Sequence, residues 1–179
     1  MKIFAYGSNM NIERLKQRVP SAKKLANAYL KNYSLVCNKI SVDGSSKANI
    51  IQVENDVVWG VLFEINDTEK YNLDRAEGLG NGYNETTLTF IDQNDISHQA
   101  QVYIADNNSL NNSLQPYDWY MKFITSGAKQ NQLPDDYIEK VNAINFIIDK
   151  NVERRERNLE IGKDTHNLNQ ESGIIRTER

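Results

Sequence analysis

Up to about Asp106 the apolar residues of this chain alternate with polar ones, and beyond it they recur at helical spacing. Met1 to Ala5, Tyr29 to Asn38, Ala48 to Val53, Val57 to Ile65, Tyr83 to Asp92 and Gln99 to Ile104 are rich in β-branched and aromatic residues, with Asn, Asp and Gly between them. That pattern predicts six strands. Asn55-Asp56, between two of the runs, predicts a tight hairpin turn. Farther on, Pro116 to Ala128 and Pro134 to Asp149 predict two helices, the second with Tyr137, Val141, Ile144 and Ile148 on one face. Shorter helices are expected over Ile12 to Arg18, capped by Asn9 or Asn11, and over Thr68 to Ala76, with Tyr71 and Leu73 packing inward. Asn107 to Gln115 is a polar stretch without apolar period. The expected fold class is α+β: a small, mixed β-barrel of about six strands flanked by helices.

Composition narrows the setting. At 179 residues the chain is long enough for one domain with a sizeable core and short for two. A formal charge of −3 offers no electrostatic reason to expect nucleic acid or an anionic membrane as partner. The single cysteine excludes an internal disulfide framework. With neither a bilayer-length apolar run nor a basic, apolar leader, the expected location is the cytoplasm. From Asn151 onward apolar residues thin out and Arg154, Arg155 and Arg157 alternate with acids, so residues 151–179 are expected to be a polar, mobile or lightly docked extension to a domain over 1–150 rather than a second domain.

Two segments carry candidate chemistry. Tyr6-Gly7-Ser8-Asn9-Met10 follows the first strand directly, and Gly7 has no Cβ to hold a ligand away. Successive backbone N–H groups in such a turn can face a carbonyl oxygen or a carboxylate. On these five residues alone, an ordinary strand-to-helix turn explains the pattern as well. The second segment is Leu73 to Tyr83, in which Glu77 is followed by Gly78, Gly80 and Gly82 and then by Tyr83. Glu77 falls where the helix ends, against the dipole, so shelter there would raise its pKa; a solvated surface acid is the default alternative.

Other candidates fail on number or spacing. His98, in a turn between strands, and His166, in the tail, cannot build a metal site or a catalytic triad. Cys37 reads as a buried strand thiol, Trp59 and Trp119 as packing residues, and the arginines after Asn151 as a solvated helix face.

Taken together, the chain resembles the single-domain γ-glutamylcyclotransferase family, which includes the AIG2-like proteins. Phe4 to Asn9 is similar to that family's substrate loop, Arg18-Val19-Pro20-Ser21-Ala22 to the segment after its first helix, and Val58 to Leu62 to its central strand. Leu73 to Gly78 is similar to the segment with the family's catalytic glutamate. Tyr120, Gly127-Ala128-Lys129 and Leu133 to Tyr137 resemble its C-terminal helical pair. The resemblance runs from Phe4 to Ile144 and implies a catalytic domain over 1–150.

It implies a lyase that cyclises a γ-glutamyl amino acid or amine to 5-oxoproline without metal or cofactor. Glu77 would be catalytic. Tyr6, Gly7, Ser8, Asn9, Met10, Tyr83, Tyr103 and Tyr120 would contact the small-molecule substrate. Homodimers occur in the family, although nothing in this sequence marks an interface. Two alternatives stay open: removal of a γ-glutamyl protecting group from a biosynthetic or polyamine intermediate, and a non-catalytic member that binds a metabolite or partner.

Overall fold

The alternating segments form five strands rather than six: β1 (Lys2–Ala5), β2 (Lys23–Ile40), β3 (Ser46–Glu64), β4 (Tyr83–Asp92) and β5 (Ser97–Ala105). The computed structural model describes residues 1–161. The strands close into a barrel in the order β1-β3-β2-β4-β5, antiparallel throughout except where β1 meets β5, with Ile3 beside Gln101.

The expected hairpin at Asn55-Asp56 is a bulge inside β3. Pairing steps from Lys31 opposite Val57 to Tyr33 opposite Gln52, so residues 53–56 loop out against Asn32 alone. Asn32 and Asn55 both take positive φ, 63° and 64°, and the Asn32 side-chain oxygen accepts the Asn55 N–H at 3.1 Å. Asn tolerates that left-handed conformation better than most residues, so one local signal serves a turn and a bulge alike.

The strands bury Phe4, Val61, Leu62, Phe63, Phe90 and Val102, so both faces of β3 are covered at its C-terminal end. The rings of Phe4 and Phe90 stack at 4.0 Å. Short helix α1 (Ile12–Lys16) follows β1, and α2 (Lys70–Glu77) precedes β4. On α2 Leu73 is buried and Tyr71 exposed, contrary to the expectation for Tyr71. Two residues apart on a helix are about 200° apart, so both cannot face the core.

The C-terminal helices are α3 (Asp118–Gln130), α4 (Asp135–Asn142) and α5 (Val152–Ile161). Helix α4 stops short of the predicted Asp149. The chain there runs extended, the Ile147 N–H donating to Pro116 O and Ile147 O accepting from the Asp118 N–H. Tertiary pairing thus overrides the apolar period, leaving Ile148 exposed. His98 lies in β5 rather than in a turn, its Nε2 2.8 Å from Asp92 Oδ2. His166 and the remainder of the predicted extension lie outside the described residues. No helix among the described residues is long and apolar enough to cross a membrane.

Helix α5 is docked by charge. Buried Asp149 accepts from Trp119 Nε1 at 2.8 Å, from Arg154 Nε and Nη2 at 2.6 and 2.7 Å, and from the Asn151 N–H at 2.9 Å. Arg155 Nε donates to Asp118 Oδ2 at 2.6 Å. The Arg154 contact, followed by those from Trp119 and Asn151, holds the Asp149 carboxyl well below the usual carboxylate range. A depressed folded-state pKa stabilises above the unfolded value of about 4 and loses that contribution as pH falls below it. Asp149→Asn is therefore expected to cost about 2–3 kcal/mol at neutral pH. Urea denaturation at pH 7 and pH 3 checks it; a loss of equal size at both values would exclude the ionised carboxylate as the cause.

Candidate active site

Strand β1 delivers the Tyr6 to Met10 turn to the mouth of the barrel. Ser8–Met10 make one 3-10 turn, closed by the Met10 N–H to Gly7 O at 3.0 Å. The first N–H groups of any helical turn lack internal acceptors, and those of Gly7, Ser8 and Asn9 have none among the described residues. Of the two cap candidates, Asn11 caps α1, its side chain accepting the Arg14 N–H at 3.0 Å. Asn9 is thereby released, and its Nδ2 donates to Glu77 Oε1 at 2.9 Å.

Glu77 is the last residue of α2. Gly78 follows in the left-handed conformation, φ 70°, where a side chain would be strained, and the Leu79 N–H returns to Asp74 O at 2.9 Å. This reversal leaves the Glu77 side chain at the barrel mouth with 17% exposure. Arg18 Nη1 lies 2.5 Å from Glu77 Oε1 and 2.8 Å from Asn9 Oδ1, so one guanidinium ties the acid to the turn. Glu77 Oε2 has no hydrogen-bond partner among the described residues.

Tyr6, Gly7, Ser8, Asn9, Tyr83, Tyr103 and Tyr120 share a narrow cavity of about 40 Å³ with Glu77. The tyrosines are fixed through their hydroxyls. Tyr6 donates to Tyr103 O at 2.6 Å, Tyr83 to Ala48 O at 2.5 Å, and Tyr103 to Asp74 Oδ1 at 2.6 Å, while Tyr120 accepts the Ala48 N–H at 3.0 Å. Burial above all pushes all four phenols up, and the Glu77 charge adds to it. They are neutral hydrogen-bonding groups at physiological pH.

Met10 departs from the expectation. It is fully buried in the core, with no part in the pocket lining, and contributes its carbonyl, which accepts from Asn131 Nδ2 at 3.0 Å. An apolar residue one turn past the loop follows the helical path inward. Cys37 sits on β2 with its thiol pushed up to about 12 by burial, the state of an inert strand cysteine. No cluster of three or more His, Cys, Asp or Glu side chains that could hold a metal ion occurs among the described residues.

Arg18 and Ala48 escaped the sequence reading as site residues. Arg18 has no local signal that distinguishes it from a solvated arginine, and Ala48 acts through its backbone alone. Outside the pocket, Glu77, Ser8, Tyr83 and Tyr120 also border a wider vestibule of about 320 Å³, with Arg14, Arg18, Lys39, Lys47 and Arg75 on its walls.

Residues 57–141 match the AIG2-like family. The chain is 34% identical to γ-glutamylcyclotransferase of Homo sapiens over 147 residues, covering 79% of this chain and 77% of that protein. The protein of the same name from Mus musculus is 33% identical over the same coverage. A solved structure called γ-glutamyl cyclotransferase superposes with a TM-score of 0.77 at 30% identity, covering 88% of this chain and 98% of that one.

Proposed function

Because the chain belongs to the γ-glutamylcyclotransferase family, AIG2-like in type, we propose that it cyclises a γ-glutamyl compound to 5-oxoproline and releases the amine that had been acylated. The observation that carries the reading is the hydrogen bond from Asn9 to Glu77, which sets a half-buried carboxylate beside three backbone N–H groups without acceptors.

The substrate brings its own nucleophile, so the protein has to fold it rather than attack it. Holding the α-amine against the γ-carbonyl within one molecule can supply up to about 7–11 kcal/mol in favourable cases. The enclosing tyrosines suit that task, since their hydroxyls are already bonded and their rings are fixed. Glu77 Oε2, free of other partners, takes a proton from the α-ammonium. The amine nitrogen then bonds to the γ-carbon, and charge grows on the carbonyl oxygen. An N–H of Gly7, Ser8 or Asn9 aimed at that oxygen would stabilise it by about 3–4 kcal/mol. The bond from the γ-carbon to the departing nitrogen breaks as Glu77 returns the proton to that nitrogen. The second proton of the attacking nitrogen, shed as the lactam forms, passes through the freed carboxylate to the released amine, which leaves as an ammonium. One carboxyl group serves as base and then as acid, and no oxidant, reductant or external nucleophile is required.

Incubation with a library of γ-glutamyl amino acids and amines, followed by mass spectrometry, is expected to show 5-oxoproline in equal amount with the free amine. Glutamate as the product instead would mean hydrolysis by water, and no product at all would favour a binding protein.

A further inference from the structure

The vestibule outside Glu77 is charged against the trend of the molecule. The chain carries a formal −3, yet the walls of this opening hold five cationic side chains and a single carboxylate, Glu77. Two of the cations are answered: Arg18 by Glu77, and Lys47 by Asp43, with Lys47 Nζ 2.7 Å from Asp43 Oδ2. Arg14, Lys39 and Arg75 have no carboxylate within ion-pair distance among the described residues.

Arg14 is the most telling of the three. It projects from α1 one turn before Arg18, and its Nε donates to Ser8 Oγ at 3.1 Å. Its guanidinium carbon lies 4.4 Å from the centre of the Phe123 ring, and Nη1 reaches Asn158 Oδ1 at 3.5 Å. Burial and then the neighbouring Arg18 pull its pKa down to about 10. Buried charge is costly unless an opposite charge meets it. Lys39 stands over the Tyr83 ring at 5.0 Å, on the same opening.

Ser8, Glu77, Tyr83 and Tyr120 border both the inner pocket and the vestibule. With the γ-glutamyl group inside and its carbonyl at this neck, whatever is attached to the departing nitrogen extends into the cationic opening. One carboxylate there answers one of three unpaired cations.

Resting on the cyclisation reading above, we infer that the favoured departing amine is a dicarboxylic amino acid, held through its two carboxylates by Arg14, Lys39 and Arg75. The same charge disfavours γ-glutamylated polyamines, whose departing group is itself cationic.

The test is a series with one γ-glutamyl group and departing groups of graded charge: putrescine, alaninamide, alanine and aspartate. For the wild-type chain kcat/KM for 5-oxoproline release is expected to rise along that order, by about tenfold from alanine to aspartate, and the rise should flatten in high salt. The aspartate-to-alanine ratio is expected to fall toward unity in Arg14→Gln and in the double variant Lys39→Gln/Arg75→Gln, whose lysine and arginine lie on the opening rather than in the core. Equal kcat/KM across the series, or a preference for alaninamide or putrescine, overturns the inference. Calorimetry of the same compounds on Glu77→Gln gives a readout without turnover. If no member yields 5-oxoproline, the cyclisation reading fails, and the binding order then decides the subsite: tightest for aspartate supports it, an order independent of charge overturns it.

Discussion

Glu77→Gln is expected to lower kcat for 5-oxoproline release by about 10²–10⁴, the usual worth of a positioned acid–base group. Glutamine keeps the shape of the side chain and a carbonyl oxygen for the Asn9 amide, but it cannot carry the proton. The change also leaves Arg18 without its carboxylate. Both side chains are largely buried, at 20% and 17% exposure, so a loss of stability of about 1–3 kcal/mol should accompany the change. Initial rates alongside a thermal melt separate the two effects. A variant that folds normally and retains more than a tenth of the turnover would show that another group moves the proton.

Gly127→Ala is expected to destabilise the fold by about 1–3 kcal/mol, the cost of overpacking, and to reduce activity with it. In a helix interior this substitution ordinarily stabilises by roughly 0.5–1 kcal/mol. Here sterics win. A Cβ at Gly127 would lie 2.6 Å from the Asn11 backbone nitrogen and 2.7 Å from both the carbonyl carbon and the Cβ of Met10. Backbone cannot swing aside as a flexible side-chain end can. One turn on, Asn131 Nδ2 donates to Met10 O at 3.0 Å and to Gly127 O at 2.8 Å, so the same ridge of α3 grips the end of the Tyr6 to Met10 turn. Pushing the ridge away should displace Ser8 and Asn9 along with Met10. A higher urea midpoint for the variant would show that the two segments are not in this contact.

What could be read from the chain alone follows the range of the forces involved. The barrel strands were legible because alternation is written residue by residue, and β4 spans Tyr83–Asp92 as expected. Glu77 and the Tyr6 to Asn9 turn were legible because glycine-rich turns and a carboxylate at a helix end are local oddities. Arg18 and Arg14 were not. Charged residues on a five-residue helix or just past its end look solvated until the fold brings Phe123 to Arg14 and Glu77 to Arg18. Ala48 offered no chemical signal at all, since its part is played by an amide and a carbonyl that every residue owns. At the C-terminal end Ile144 and Ile148 continued the helical period of Tyr137 and Val141, but pairing of Ile147 with the chain ahead of α3 took precedence. That contact lies about thirty residues away and has no local mark.

Strand β1 sits between β3 and β5, and the turn that follows it supplies Asn9, whose side-chain amide donates to Glu77. Met10 is the next methionine after Met1. A polypeptide initiated there would lack both the stave that joins the two sides of the barrel and the turn whose Asn9 side chain is bonded to Glu77. Structural integrity and chemistry would be lost in a single stroke, so internal initiation at this codon offers no route to an inert but folded isoform.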